Sequence, residues 1–179
     1  MLQVENAALV LVDVQTKLIG VMDEKEQLVS NLRKLIQGMR VLEIPILWNE
    51  QYPQGLGGTL PELAELLTEN NPLDKVCFSC CQNESFVTSL HTIGRPQLLV
   101  CGIEAHICVY QTARELQEQG YQVEVVADAV SSRSPLNKQI ALKRFQQCNI
   151  ALTSTEMALF ELVKVAKGDQ FRAISKLLR

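Results

Sequence analysis

Short, almost wholly apolar runs alternate along this chain with longer stretches whose apolar residues fall at helical spacing, and no other feature restricts the fold as much. Ala7–Val14 is the clearest run: every residue except Asp13 is apolar, as expected of a strand buried on both faces. Glu26–Leu42 follows, with Leu28, Leu32, Leu35, Ile36 and Met39 on one helical face. Pro45 breaks that helix, and Ile46–Trp48 reads as a second strand. Residues 49–59 form a loop by composition, and Pro61 opens a short helix that runs to Leu67. The pattern then predicts strands over Asp74–Cys77, Gln97–Cys101, Val123–Ala127 and Ile150–Leu152. Helices are predicted over Asn83–Thr92, Cys108–Gln119 and Pro135–Gln147, and Thr153 with Glu156 has the spacing of a capping box opening a last helical region. Strands alternating with helices over short connections predict an α/β fold, a parallel sheet between helical layers, in one domain over residues 1–179.

Composition narrows the classes of function. Lys and Arg (17) nearly balance Asp and Glu (20), leaving a net charge of −3, which argues against a protein built to grip nucleic acid or an anionic membrane. No apolar run approaches the roughly 20 residues of a spanning helix. The start, Met-Leu-Gln-Val-Glu, has neither a basic leader nor an Arg-rich presequence, so the expected location is the cytoplasm. Six scattered cysteines fit a reducing compartment, where they are buried thiols or chemistry and not staples.

Ligands of open parallel sheets bind outside the carboxyl ends of the strands. Asp13 closes the first strand, Lys75 is expected at the start of the third, and Cys108 begins the helix after the fourth. A thiol near a helix N-terminus is favoured as thiolate and has unpaired N–H groups beside it; a buried structural cysteine is the alternative. Asp13, in an otherwise apolar strand, must be paired or protonated, either as a strand-end cap or as a general base. Lys75 could pair with Asp74, or could hold a positive charge beside Asp13 and Cys108 and so depress the thiol pKa below its usual value of about 8.5.

Several motifs, in order, resemble one family. They are Asp13-Val14-Gln15, the run Glu50–Gly57, Lys75-Val76-Cys77-Phe78-Ser79, Cys101-Gly102-Ile103-Glu104-Ala105 with Cys108, and Asp128–Ser134. This combination resembles the isochorismatase-like cysteine hydrolase superfamily, in its isochorismatase-domain-containing branch. The resemblance implies a three-layer, Rossmann-like α/β/α sandwich on a six-stranded parallel sheet. It also implies an Asp13–Lys75–Cys108 catalytic triad, a cis Ile103–Glu104 peptide, and an oxyanion hole from the N–H groups of Glu104 and Cys108. Substrate contacts are then expected from Gln15, Gln51, Tyr52, Phe78 and His106. The implied activity is hydrolysis of a small amide or related acyl compound through a thioester, in a homo-oligomer acting on a small-molecule substrate without a cofactor.

Two departures from the family matter. Nicotinamidases of the superfamily hold a metal with an aspartate and histidines after the second strand, where this chain has Asn49, Glu50, Gln51 and Tyr52; its histidines are His91 and His106, so no metal is expected. Isochorismatases that cleave a vinyl ether lack the cysteine, so Cys108 argues against that reaction. Cys77-x-x-Cys80-Cys81 lacks a second cysteine pair at zinc spacing, which leaves incidental thiols or a redox pair. Asp128 and Arg133 are expected to fix a loop. A non-catalytic binding or scaffold protein keeping the hydrolase fold is the remaining alternative.

Overall fold

The computed structural model describes residues 1–68 and 71–179. Six strands, β1 (Ala7–Val12), β2 (Ile46–Gln51), β3 (Leu73–Lys75), β4 (Gln97–Ile103), β5 (Gln122–Ser131) and β6 (Ala151–Thr153), pair in the order β3-β2-β1-β4-β5-β6. Every pairing is parallel. The helices in chain order are α1 (Thr16–Ile19), α2 (Lys25–Val41), α3 (Pro53–Leu56), α4 (Pro61–Ala64), α5 (Glu84–Ile93), α6 (Tyr110–Glu118), α7 (Pro135–Gln147), α8 (Thr155–Val163) and α9 (Gly168–Leu177).

The fold is the α/β sandwich that the alternation of runs predicts, and the period-2 geometry of a strand explains the sorting of its core. Leu9 and Leu11 of β1 face one layer, packing with Leu32, Leu35 and Ile36 of α2 and Leu159 of α8. Ala8, Val10 and Val12 face the other, with Phe86 of α5, Ala113 and Leu116 of α6 and Phe145 of α7. All six residues of β1 are buried, so the run Ala7–Val12 has no polar face to offer water. Burying each of its larger side chains stabilises the fold by about 1.5–3 kcal/mol as an upper bound.

Several elements differ from their predicted bounds. β3 is Leu73–Lys75, so Lys75 ends the strand and does not start it; the partner residue Gln51 on β2 sets that limit. β4 and β5 run on to Ile103 and Ser131, because pairing with each other extends them past their most apolar residues. The helix predicted from Cys108 begins earlier, with a π-helical turn over Ala105–Val109 ahead of α6. Ser154, not Thr153, caps α8, its hydroxyl accepting the N–H of Met157.

The strand order places the switch in chain direction between β1 and β4, the position at whose carboxyl ends open parallel sheets bind their ligands. Gly102 allows the two strands to close there. It has φ +112°, and a Cβ on it would collide with the Val12 carbonyl oxygen.

Candidate active site

β1 leaves the sheet at Asp13, whose φ of +53° turns the chain away after its N–H has bonded the Asn49 carbonyl (3.1 Å). The turn removes the backbone that would have paired with Gln51, at the end of β2. The Gln15 side chain replaces it: Oε1 accepts the Gln51 N–H (2.7 Å), and Nε2 donates to the Gln51 carbonyl (2.9 Å) and to that of Gly57 (2.6 Å). Gln15 is fully buried, and its amide is committed to these loops.

Lys75 enters from β3 with its side chain 0% exposed. Nζ donates to Asp13 Oδ2 at 2.7 Å and to Gln51 Oε1 at 2.7 Å, with the carbonyls of Cys77 and Phe78 each at 3.2 Å. Four acceptors thus surround three N–H bonds, and the ammonium is saturated. Gln51 Nε2 donates to the Val76 carbonyl (2.8 Å), which fixes its amide so that the oxygen faces the cation. Asp13 Oδ1 is buried and has no hydrogen-bond partner among the described residues; the Cys108 thiol lies near enough to act on this carboxyl, as does Glu50.

Cys108 is itself buried, on the π-helical turn that follows the cis Ile103–Glu104 peptide. That cis bond is the one the family resemblance implies. The Glu104 carbonyl accepts the N–H groups of Ile107 (3.0 Å) and Val109 (3.3 Å) and passes over that of Cys108. Widened turns of this kind recur at functional sites because they release a backbone donor.

The electrostatics reverse one expectation. Burial, followed by the Asp13 carboxylate, pushes the Cys108 thiol up to about 12, although Lys75 pulls the other way. The direction is opposite to the expected one, because desolvating a thiolate beside a carboxylate costs more than one already-paired cation returns. Burial also raises the Asp13 carboxyl, against the opposing pull of Lys75. Burial works against the Lys75 ammonium, but Asp13, Cys80 and Cys108 outweigh it and hold its pKa above the ordinary lysine value. The site sets a buried Asp13–Lys75 pair beside a thiol whose proton burial makes harder to lose.

Other residues singled out in the sequence sit around this centre. Tyr52 and Lys75 share the wall of a cavity of ≈ 560 Å³ beside β3, and Tyr52 and Phe78 are largely exposed. A larger cavity, ≈ 1220 Å³, lies at the other end of the sheet, beside Ile46 and Arg95, away from the thiol. His106 accepts at Nε2 from the Asn137 amide (3.3 Å), so Nδ1 carries the hydrogen and donates to Ser132 Oγ (2.9 Å). The Glu104 carboxylate accepts the Arg133 N–H (2.9 Å) and pairs with its guanidinium (3.1 Å), while Asp128 Oδ1 accepts from the N–H and hydroxyl of Thr155. Among the described residues, no cluster of three or more His, Cys, Asp or Glu is placed to hold a metal ion. Cys77, Cys80 and Cys81 are free thiols; Cys80 is fully buried, its N–H bonded to Thr112 Oγ1 (3.0 Å) one helical turn beyond Cys108.

Sequence reasoning missed Glu50, which is buried, accepts the Thr59 N–H at Oε1 (2.6 Å) and acts electrostatically on Asp13. Its signal resembled the one that marked Asp13, a charged residue near the end of a strand that begins apolar.

Residues 7–157 match the isochorismatase domain. The chain is 44% identical over 179 residues to isochorismatase domain-containing protein 2 of Danio rerio, covering 99% of this chain and 89% of that protein. The Homo sapiens protein of the same description is 39% identical over 178 residues, covering 97% and 83%. Among solved structures, the MAR1 ribonuclease of Caenorhabditis elegans superposes with a TM-score of 0.92 at 38% identity, over 99% of this chain and 91% of that one. The ycaC gene product of Escherichia coli, described as an octameric hydrolase of unknown specificity, superposes with a TM-score of 0.93 at 24% identity, covering 99% and 88%.

Proposed function

The chain belongs to the isochorismatase domain family, and we propose that it is a cysteine-dependent hydrolase of a small amide or related acyl compound, with Asp13, Lys75 and Cys108 as its catalytic residues. The observation that carries this reading is the buried Asp13–Lys75 pair, 2.7 Å apart, with a carboxylate oxygen left for the Cys108 thiol. A buried pair of this kind is costly to keep and adds little net stability, so a chemical use accounts for it better than a structural one.

In the proposed sequence Asp13 takes the thiol proton as Cys108 Sγ attacks the acyl carbon. The oxyanion that forms is held by the N–H groups of Cys108 and Glu104, the first of which the π-helical turn leaves outside the Glu104 carbonyl. The intermediate collapses, Asp13 returns the proton to the departing amine, and a thioester remains on Cys108. Water then attacks the thioester with Asp13 as base, releasing the carboxylate product and restoring the thiol. Lys75 gives up no proton; its fixed charge keeps Asp13 ionised against burial. Gln15 and Gln51 hold this arrangement from behind, and in this reading Tyr52, Phe78 and His106 shape the acyl pocket.

The same proposal takes the chain as one domain and the protein as a cytoplasmic homo-oligomer that needs no cofactor. The free cysteines support a reducing compartment, and apolar side chains that α7 and α8 leave exposed, Leu136, Ile140 and Met157, support self-association. No helix among the described residues is long and apolar enough to cross a membrane.

The test is an activity screen of the wild type against Cys108→Ala over a library of small amides and esters, with RNA included because of the description of the C. elegans relative. Turnover of an amide or ester by the wild type alone supports the reading. Cleavage of RNA that survives Cys108→Ala would sink it, and a wild type silent on the whole library would favour a binding or scaffold role.

A further inference from the structure

We infer that the substrate is electrically neutral around its scissile group, an uncharged amide or ester and not a carboxylate-bearing one. This rests on the hydrolase reading above and adds a substrate class to it.

An anionic substrate is held most strongly by a cation that the protein itself has not already neutralised. The segments that follow the strand ends carry Lys17, Lys75, Arg133 and Lys138, and a protein oxygen holds each of them. Lys17 Nζ donates to the Gly55 carbonyl (2.9 Å), and Lys138 pairs with Glu24 (3.5 Å). Arg133, 62% exposed, is held through Nε by both carboxylate oxygens of Glu104 (3.1 and 3.2 Å). Lys75, the one cation beside the thiol among the described residues, is saturated, and turning it to a substrate carboxylate would strip Asp13 of its partner in a buried setting.

The carboxylates point the same way. Asp13, Glu50 and Glu104 all act electrostatically on the Asp13–Cys108 pair, against Lys75 and the already paired Arg133. An anion brought to Cys108 meets three carboxylates, two of them paired with Lys75 and Arg133 and the third, Glu50, with no cation paired to it among the described residues, so the balance of charge there is negative.

The experiment compares two alkylating reagents of similar size, iodoacetamide (neutral) and iodoacetate (anionic). Rates of Cys108 modification in the full-length protein are followed by peptide mass spectrometry at one pH and low salt. Their ratio is divided by the ratio for a free cysteine derivative, which removes intrinsic reactivity, and because both reagents attack the same thiolate its pKa cancels. The expected result is a normalised preference for the neutral reagent of tenfold or more. Glu104→Gln, which frees Arg133 and removes a negative charge, should reduce that preference at least threefold. A normalised ratio near one, or a preference for iodoacetate, overturns this inference and leaves the hydrolase reading standing. Absence of any Cys108 modification by either reagent, over a time in which both alkylate the same cysteine in the unfolded chain, would show a thiol closed to small acyl compounds and overturns the hydrolase reading and the inference with it.

Discussion

Gln15 holds Gln51 as a strand would, its side-chain amide meeting both the N–H (2.7 Å) and the carbonyl (2.9 Å) of that residue after β1 has turned away at Asp13. Gln51 in turn holds Lys75. The turn that presents the Asp13 carboxylate and the brace that steadies its cation are therefore one piece of structure. Gln15→Leu should leave two backbone groups of Gln51 and the Gly57 carbonyl without partners, each costing about 1–3 kcal/mol where water does not reach them. Urea unfolding should show a loss of several kcal/mol, and a variant within about 0.5 kcal/mol of wild type would contradict the brace.

The Asp13–Lys75 pair should behave asymmetrically. Either Asp13→Asn or Lys75→Met alone leaves a buried charge unmatched and should cost roughly 3–5 kcal/mol. The double variant should regain most of that stability and no activity. Chemical denaturation of all three variants measures this, and a double variant as unstable as the sum of the singles would show that the two side chains are not coupled.

Cys108 should remain a thiol at neutral pH, since burial and Asp13 push it up to about 12. Its alkylation by iodoacetamide should climb with pH without levelling off between about pH 7 and 10. Asp13→Asn removes a charge that opposes the thiolate and should speed the reaction; Lys75→Met removes one that favours it and should slow it. A plateau below about pH 9 in the wild type would mean that the thiol is acidic after all.

For turnover the sign runs the other way. Asp13 must be ionised to accept the proton, and burial raises its carboxyl pKa. The acidic limb of kcat/KM against pH should therefore fall above the ordinary Asp value of about 3.9. An acidic limb at or below that value would remove Asp13 as the base.

Gly102→Ala should be among the most damaging small substitutions in the chain. Its Cβ would meet the Val12 carbonyl, and its φ of +112° is one that L side chains rarely adopt. Little soluble folded protein is the expected outcome, read by circular dichroism, whereas a stably folded Gly102→Ala variant would show that β1 and β4 can separate.

Much of the fold was written locally. A strand buried on both faces must be apolar throughout, and a helix lying on a sheet must repeat its apolar residues near every fourth position, so Ala7–Val12 and the Leu28–Met39 face announce themselves without neighbours. Pro135–Gln147 matched its predicted bounds because Pro can start a helix and few residues stop it ambiguously. Asp13 stood out by the same logic, as a charge in an apolar run. What no window of sequence contained was distance. Lys75 reads as a solvated lysine until β3 pairs with β2 and delivers its ammonium to Asp13, 62 residues away. The pKa of Cys108 depends on how far the packed sheet and helices exclude water, and a helix start alone suggested the opposite sign. The brace from Gln15 exists only because β1 ends sooner than its neighbour β2 needs. The sequence by itself determined which segments are strands and helices, because burial dictates residue type along each one; tertiary structure decided which charges meet and in what protonation state, because Coulomb energy and desolvation depend on separations that only the packed chain defines.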